Sequence, residues 1–311
     1  MKIVFLDSLS LGNKDLSRFE KFGEFIEYKT TSPLELAERI VDADIIITNK
    51  VIMGEKEFSY SPKLKLICIC ATGVNNIDIP EARKKGIAVI NVKDYSTESV
   101  AQMTLTFMLN LSSSFSSYND LIKSGAWPKS PIFTMLNYPF FNLKGKTLGI
   151  IGYGAIGKRV EELAKVFGMN ILISQRPRTN EAAEGRVEFD KVLKKSDFIT
   201  IHAPLNENTE NLFDLEAFKL MKKTSFLINT ARGPIVVEED LAKALKEGLI
   251  SGAAIDVMKK EPPLDNNPLF DAPNLIITPH MAWASKESID TLLLGVEKNI
   301  SDFLSGTLKS L

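Results

Sequence analysis

The sequence of 311 residues lacks any apolar run of the roughly 18 residues that a membrane-spanning helix requires. Its first apolar run, 3–6, is interrupted by Asp7 and is shorter than the apolar core of a secretory signal peptide. Net charge is almost absent, at −1, so electrostatics gives no reason to expect a nucleic acid or an anionic membrane as partner. These absences predict a cytoplasmic globular protein.

Cysteine and histidine are scarce, with 2 of each. Cys68 and Cys70 lie two apart in a strand-like run, so their side chains should point to the same face. That spacing disfavours a disulfide, and two cysteines alone do not form a zinc site. We expect buried, reduced thiols and no metal site. Because His202 and His280 are the two histidines, a histidine that acts as an acid–base group must be one of them.

Short apolar runs alternate with helical patterns along the whole chain, which predicts parallel sheets with helices on both faces. The length is sufficient for two domains of ordinary size. The predicted strands are 3–6, 25–28, 45–48, 66–70, 89–92, 147–151, 171–174, 198–202, 225–229, 252–256 and 275–278.

A glycine-rich turn follows the strand predicted at 147–151. Without a Cβ, Gly152 permits a tight turn, Gly154 lets a pyrophosphate approach the backbone, and Gly157 lets the next helix pack on the strand. The free N–H groups and the dipole at the start of that helix favour phosphate groups. The motif therefore predicts a dinucleotide cofactor site.

The expected fold is α/β, with two doubly wound parallel-sheet domains. A Rossmann dinucleotide-binding domain, 99–285, is inserted into a flavodoxin-like substrate domain, 1–98 plus 286–311. The insertion follows because the final helical pattern, 285–304, lies beyond the last strand and can return to the first domain.

Three further segments bear on the architecture. Ser32 and Glu35 form a capping-box pattern with proline at the first helical position, which predicts a helix ending near Val41. One long helix is expected over 97–123, buried on several sides because it is apolar on more than one stripe. The segment 127–143 is rich in proline and aromatic residues, and we expect an arm packed on another surface, such as a second subunit.

Three side chains with catalytic potential follow strands of the dinucleotide-binding domain. Arg232 comes after 225–229, Glu261 after 252–256, and His280 after 275–278. Ligands of such sheets bind outside the carboxyl ends of the strands, so these side chains should lie near the cofactor.

An arginine, a carboxylate and a histidine suit hydride transfer between a nicotinamide and a 2-hydroxy acid. The histidine can move the hydroxyl proton near neutral pH, and the arginine fork can hold the substrate carboxylate. A carboxylate on the far ring nitrogen would fix the tautomer and favour the protonated ring. Each residue type alone is more often structural, and His202, at a strand end, is an alternative acid–base group.

Together the motifs resemble the signatures of the D-2-hydroxyacid dehydrogenase family, and most closely its glycerate dehydrogenase and hydroxypyruvate reductase branch. The resemblance covers nearly the whole chain in family order. The motifs are ATGVNNID at 71–78, YSTESVAQ at 95–102, NTARG at 229–233, GAAIDVMKKEP at 252–262 and TPHMAW at 278–283.

The resemblance implies that Arg232 binds the substrate, Glu261 orients the histidine, and His280 is the acid–base group. It also implies a homodimer built on the long helix and the arm, and a cleft that closes over the substrate. The loop implied to bind the substrate carboxylate contains Gly73, Val74 and Asn75. The residues implied to lie near the cofactor or the substrate are Thr104, Ala155, Ile156, Thr230, Ala231, Asp256 and Trp283.

One position departs from the NAD-specific pattern. Such proteins carry an acid at the end of the second strand, where it bonds the adenosine ribose hydroxyls. Gln175 stands at that place here, followed by Arg176 and Arg178. An uncharged residue beside guanidinium groups favours the 2′-phosphate of NADP over NAD, unless both arginines point to solvent.

Two other functions remain open. The first is an NAD(H)-sensing binding protein like the corepressors of this fold, which keep the same Arg, Glu and His. Such proteins tend to carry disordered tails, and the end of this chain directly after its last helix favours the enzyme. The second is a formate or phosphite dehydrogenase. Formate enzymes pair the histidine with glutamine, so Glu261 argues against that activity.

Overall fold

The computed structural model describes residues 1–179 and 183–308. The chain forms two compact units, Met1–Ser96 with Ala284–Leu311, and Thr97–Trp283. Residues 309–311, which the sequence assigns to the substrate domain, lie outside the described residues. No described helix is both long and apolar enough to cross a membrane.

The strands in chain order are β1 (Lys2–Phe5), β2 (Glu24–Glu27), β3 (Ile45–Thr48), β4 (Leu66–Ile69), β5 (Ala88–Asn91), β6 (Thr147–Ile151), β7 (Asn170–Ile173), β8 (Phe198–Ile201), β9 (Phe226–Asn229), β10 (Gly252–Ile255) and β11 (Leu275–Ile277). The α-helices are α1 (Leu36–Ile40), α2 (Glu55–Ser59), α3 (Ile79–Lys84), α4 (Thr97–Ser113), α5 (Phe115–Lys123), α6 (Ala155–Val166), α7 (Phe189–Lys195), α8 (Leu215–Leu220), α9 (Glu238–Lys246) and α10 (Lys286–Leu304). Short 3₁₀ helices cover Ser8–Leu11, Ser17–Phe22, Trp127–Lys129, Gly233–Ile235 and Pro268–Asp271. Every predicted strand is present, with ends within about one residue of the prediction.

The first unit contains a parallel sheet with the strand order β2-β1-β3-β4-β5. This is the flavodoxin-like order that the sequence predicts. The central strands β3 and β4 are fully buried and almost wholly apolar, because helices cover a parallel sheet on both faces.

The second unit contains a parallel sheet with the order β11-β10-β9-β8-β6-β7. The order reverses at β6, the strand that precedes the glycine-rich turn, and ligands of open α/β sheets bind at such a reversal. Beyond β7, Val187 forms a single parallel bridge to Ser174. One face of the sheet packs against α7, α8 and α9, and the other against α4 and α6.

Two helix predictions were wrong in detail. The long helix over 97–123 is broken at Ser114, whose φ of 51° is left-handed and separates α4 from α5. The helix predicted from Ser32 begins only at Leu36. The Ser32 hydroxyl donates to Glu35 Oε2 at 2.7 Å rather than accepting a backbone N–H, so the pair closes a turn ahead of the helix.

The segment 127–143 has two kinds of apolar side chain. Phe141 and Leu143 pack into the core of the second unit beside Phe198 and Phe226. Residues before them are exposed, with Phe133 at 89%. The other exposed apolar residues of this stretch are Trp127, Ile132, Leu136, Tyr138 and Phe140.

Candidate active site

The glycine-rich turn is built from backbone contacts that exclude side chains. Gly152 has a φ of +92°, and a Cβ there would lie 2.4 Å from the amide nitrogen of Ala203. A Cβ on Gly157 would lie 2.4 Å from the carbonyl oxygen of Gly152. Both distances are far shorter than a carbon contact allows, so the turn requires glycine at these positions.

Gly154 differs, because no heavy atom lies within 4 Å of where its Cβ would be. It precedes α6, whose first N–H groups, those of Ala155 and Ile156, lie at the positive end of the helix dipole. Open space beside unpaired N–H groups fits a pyrophosphate. The residues present therefore fit the dinucleotide that the motif predicts.

The residues after β7 are not arranged as the sequence suggests. The Gln175 N–H donates to Val187 O at 2.9 Å. The Arg178 guanidinium donates to the carbonyls of Glu210 and Asn211 at 2.9 and 3.1 Å. Arg176 is exposed. Arg178 is also exposed, although its guanidinium is bound to these two carbonyls.

A cavity of about 490 Å³ adjoins Gln175 and Arg178. Apolar residues of α7 and α8 line part of it. Its carboxylates are those of Glu188, Asp190, Asp214 and Glu216. Because so many carboxylates repel a phosphate, the surroundings of Arg178 do not favour a 2′-phosphate.

The histidine and the carboxylate meet as a pair. His280 Nδ1 lies 2.6 Å from Glu261 Oε2, and the two side chains are 25% and 35% exposed. The second carboxylate oxygen of Glu261 accepts the Met258 N–H at 2.9 Å. The carboxylate is thus held from both sides and leaves His280 Nε2 as the ring nitrogen that can reach a ligand.

Asp256 holds the loop that carries His280. Its Oδ1 accepts the Met281 N–H at 2.9 Å and the Thr278 hydroxyl at 2.5 Å, while Oδ2 accepts the Ala282 N–H at 2.8 Å. Burial raises the pKa of Asp256, and these three hydrogen bonds act in the opposite direction. Asp256 is 1% exposed, so its oxygens serve the loop in this structure.

Arg232 lies on a turn that is fixed by its neighbours. The Asn229 side chain accepts the Ala231 N–H at 3.0 Å and donates to Arg232 O at 2.9 Å. The backbone at Gly233 packs so tightly that a Cβ there would lie 2.0 Å from the Met258 carbonyl carbon. The arginine turn and the Glu261 loop are therefore in direct backbone contact. Among the described residues, no carboxylate pairs with the Arg232 guanidinium, which donates to Ala231 O at 2.6 Å.

Glu238 is a supporting residue that sequence reasoning missed. This carboxylate at the start of α9 is 7% exposed. It accepts the Lys259 N–H at 2.6 Å and the Asn267 side-chain amide at 2.7 Å, which braces the loop that carries Glu261. Three acidic residues open α9, a pattern typical of helix-dipole stabilisation, so the sequence contained no separate signal for this role.

Two predicted contact residues have their polar groups engaged elsewhere. Thr104 is fully buried, and its hydroxyl donates to Val100 O at 2.8 Å within α4. A threonine in a helix satisfies its hydroxyl on the preceding turn in this way, and the location of Thr104 near the cofactor stays a prediction. Trp283 donates from its indole N–H to His280 O at 2.9 Å and so braces the histidine loop.

The predicted carboxylate-binding loop belongs to the first unit, directly after β4. The Asn91 side-chain amide donates to Thr72 O at 2.6 Å and fixes the start of the loop. Among the described residues no acceptor is recorded for the N–H groups of Gly73 and Val74. Asn75 is exposed beside them. Unpaired backbone donors of this kind fit the carboxylate role that the sequence predicts.

The second histidine has a different environment. His202 Nε2 lies 3.0 Å from the Thr200 hydroxyl, and Nδ1 lies 3.5 Å from that of Thr230. Burial lowers the pKa of His202 to about 3. The ring is therefore neutral near pH 7 and has no proton to give a substrate, which argues against the alternative acid–base role.

Comparison with known proteins identifies what the chain is similar to. Residues 105–282 match the family model described as the NAD-binding domain of D-isomer-specific 2-hydroxyacid dehydrogenases. The chain is 40% identical over 309 residues to the glycerate dehydrogenase of Methylorubrum extorquens, covering 98% of this chain and 96% of that one. It is 38% identical over 316 residues to the hydroxypyruvate reductase of Blautia hydrogenotrophica, covering 99% and 98%.

Among solved structures, an acyclic imino acid reductase in complex with NADPH and D-arginine superposes with a TM-score of 0.88. It is 25% identical and covers 100% of this chain and 99% of its own. The fold is thus shared with a reductase that was solved with NADPH.

The two pKa values of His202 predict an acid-sensitive stability. The folded ring titrates at about 3 and the free ring at 6.5, so between these values the unfolded chain binds the extra proton. The free energy of unfolding should fall as pH drops below 6.5. For His202→Asn, the decrease in the free energy of unfolding between pH 7 and 4.5 should be smaller than that of the wild type by about 2–3 kcal/mol.

Urea unfolding at pH 8, 7, 5.5 and 4.5 measures this difference. The wild-type and His202→Asn curves of stability against pH should run parallel between pH 7 and 8 and diverge below. Parallel curves over the full range would mean that folding does not lower the pKa of His202.

Proposed function

The chain belongs to the D-isomer-specific 2-hydroxyacid dehydrogenase family, and from that premise we propose that its substrate is a small 2-oxo acid of the size of hydroxypyruvate or glyoxylate, or the corresponding D-2-hydroxy acid. The enzyme is an oxidoreductase of 2-hydroxy acids with a nicotinamide dinucleotide. The observation that carries the assignment of roles is the His280–Glu261 pair, 2.6 Å apart beside the arginine turn.

In the proposed mechanism the bound cofactor supplies the hydride. The Arg232 guanidinium binds the substrate carboxylate and polarises the carbonyl, with the N–H groups of Gly73 and Val74 as further donors. His280 is protonated and gives its Nε2 proton to the carbonyl oxygen. Glu261 accepts a hydrogen bond from the Nδ1–H throughout, so the neutral ring keeps one tautomer and one orientation.

The relatives support small substrates in particular. The Methylorubrum relative is named for glycerate and the Blautia relative for hydroxypyruvate, and both align over nearly the whole chain. A corepressor-like binding protein remains the alternative from another class, because it would need the same Arg232, Glu261 and His280. A formate dehydrogenase is disfavoured, because Glu261 stands where such enzymes have glutamine.

We further propose that NADP(H) is preferred to NAD(H). No described carboxylate stands at the end of β7 to bond a ribose hydroxyl pair or to repel a 2′-phosphate, since Gln175 occupies that position. One structural relative was solved with NADPH, which supports the proposal that this fold can bind NADP(H). A cytoplasmic location remains a prediction from composition.

We also propose a homodimer in which the exposed apolar residues of 127–140 are covered by a second copy. Phe133 and Leu136 are 89% and 85% exposed in the single chain. A contiguous segment of this kind is a larger apolar surface than a monomer usually leaves in water.

The acid–base role of His280 predicts unequal effects for the two histidines. His280→Gln should lower kcat by about 100-fold or more, because a general acid contributes that much to a reduction. His202→Gln should change kcat far less, since a neutral ring gives no proton. Stopped-flow measurement of hydride transfer, with cofactor binding as a check on folding, separates the two. Near-normal turnover of His280→Gln together with a large loss for His202→Gln would reverse the assignment.

The proposed substrate class is tested by a matrix of rates. Glyoxylate, hydroxypyruvate, pyruvate and a bulky 2-oxo acid are each reduced with NADH and with NADPH. The highest kcat/KM is expected for hydroxypyruvate or glyoxylate in the NADPH row. Absence of activity in all combinations, with cofactor binding intact, would support the binding-protein alternative.

The proposed dimer predicts that Phe133→Ser with Leu136→Ser yields a monomer, because each serine removes apolar area that association would bury. Leu34→Ser is the matched control, since Leu34 is 95% exposed but belongs to the other unit. Light scattering after size-exclusion chromatography gives the masses. A monomeric wild-type protein, or equal dissociation of the control, would contradict the proposal.

A further inference from the structure

Arg186 lies beside the end of β7, although it is far from the glycine motif in the sequence. The next residue, Val187, donates its N–H to Ile173 O at 2.8 Å and accepts the Gln175 N–H at 2.9 Å. This pairing extends the sheet by a single bridge, Ser174 to Val187. Arg186 is thereby fixed at the strand end where a dinucleotide-binding domain reads the adenosine ribose.

The side chain of Arg186 lies on the sheet face covered by α4 and α6, beside Tyr153. Val187 packs into the core formed with α7, α8 and α9, so by strand alternation its neighbour points to the opposite face. The Arg186 guanidinium carbon lies 5.8 Å from the centre of the Tyr153 ring, and Nη1 lies 3.4 Å from Ser174 O. The guanidinium therefore spans the space between the glycine-rich turn and the end of β7.

The charge around Tyr153 favours an anion. Lys158 Nζ also lies near the ring, at 5.9 Å from its centre. Glu161 accepts the Tyr153 hydroxyl and pairs with Lys165 at 2.7 Å. Among the described residues, Arg186 forms no ion pair with a carboxylate.

Arg178 is the competing candidate, and its contacts differ. Its guanidinium is occupied by the carbonyls of Glu210 and Asn211, and it adjoins the cavity with four carboxylates described above. Arg186 makes one long hydrogen bond at 3.4 Å and can exchange it for a stronger, charge-assisted one.

We propose that Arg186 is the specificity-determining residue for the cofactor, binding the 2′-phosphate of NADP(H) between the glycine-rich turn and the end of β7. The inference rests on the proposed preference for NADP(H). Arg186 takes the role that the sequence suggested for the arginines after Gln175, because the bridge at Val187 places it at the end of β7. NAD(H), which has no 2′-phosphate, gains nothing from this side chain.

Equilibrium binding tests the proposal without turnover. Dissociation constants of NADPH and NADH are measured by nicotinamide fluorescence, and that of 2′,5′-ADP by calorimetry, for the wild type, Arg186→Ala and Arg178→Ala. Arg186→Ala should weaken NADPH and 2′,5′-ADP by about 10-fold or more, and NADH by less than about 2-fold. Arg178→Ala, the matched loss of one positive charge, should affect NADPH and NADH equally. Arg186→Lys keeps the charge and should retain part of the preference.

The outcomes separate this proposal from the one on which it rests. A wild-type protein that binds NADH as tightly as NADPH would overturn the proposed NADP(H) preference. A wild type that prefers NADPH, with Arg186→Ala unchanged in that ratio, would overturn the role of Arg186 alone. A selective loss in Arg178→Ala instead would assign the phosphate to that residue. Thermal unfolding of each variant without ligand shows that folding is intact.

Discussion

The candidate site depends on close backbone contact between loops at the carboxyl edge of one parallel sheet. Gly152 packs on the Ala203 backbone, Gly157 on the Gly152 carbonyl, and Gly233 on the Met258 carbonyl, each with no room for a Cβ. A side chain at Gly152 or Gly233 would push apart two neighbouring loops, and one at Gly157 would push α6 away from the turn that precedes it. Because the loops touch through backbone, the distances between their side chains are set by the sheet itself and not by flexible contacts.

Buried carboxylates also hold these loops in place. Asp256 gathers the loop after β11, and Glu238 braces the loop after β10. Burial raises the pKa of Asp256, and its three hydrogen bonds act in the opposite direction. The chain thus uses acids away from the reaction centre to hold the histidine loop and the Glu261 loop, and leaves Glu261 and His280 partly exposed to meet a substrate.

The sequence predicted the strands well, because an apolar run between polar breaks is a local signal. The grouping of Glu261 with His280 followed from topology, since parallel strands end at one edge. The break at Ser114 was missed because a left-handed serine has no sequence signature. The helix position of Thr104 could be predicted, but the burial of its hydroxyl depends on which face of α4 meets the core. Arg186 was missed because the bridge that brings it to β7 spans one residue pair, too short to leave a periodic pattern.

The two histidines show why residue type alone does not assign a role. Both follow strands of the same sheet, and either could be named as an acid from the sequence. Around His202 the partners are hydroxyls, which stabilise a neutral ring, and burial lowers the pKa of this group to about 3. Around His280 the partner is the Glu261 carboxylate, which binds Nδ1 and leaves Nε2 as the ring nitrogen that can reach a substrate. The difference lies in the groups that each ring contacts, so the assignment of the acid–base role required the structure. The same holds for Arg178 and Arg186, because the groups around each guanidinium decide which of the two can bind a phosphate.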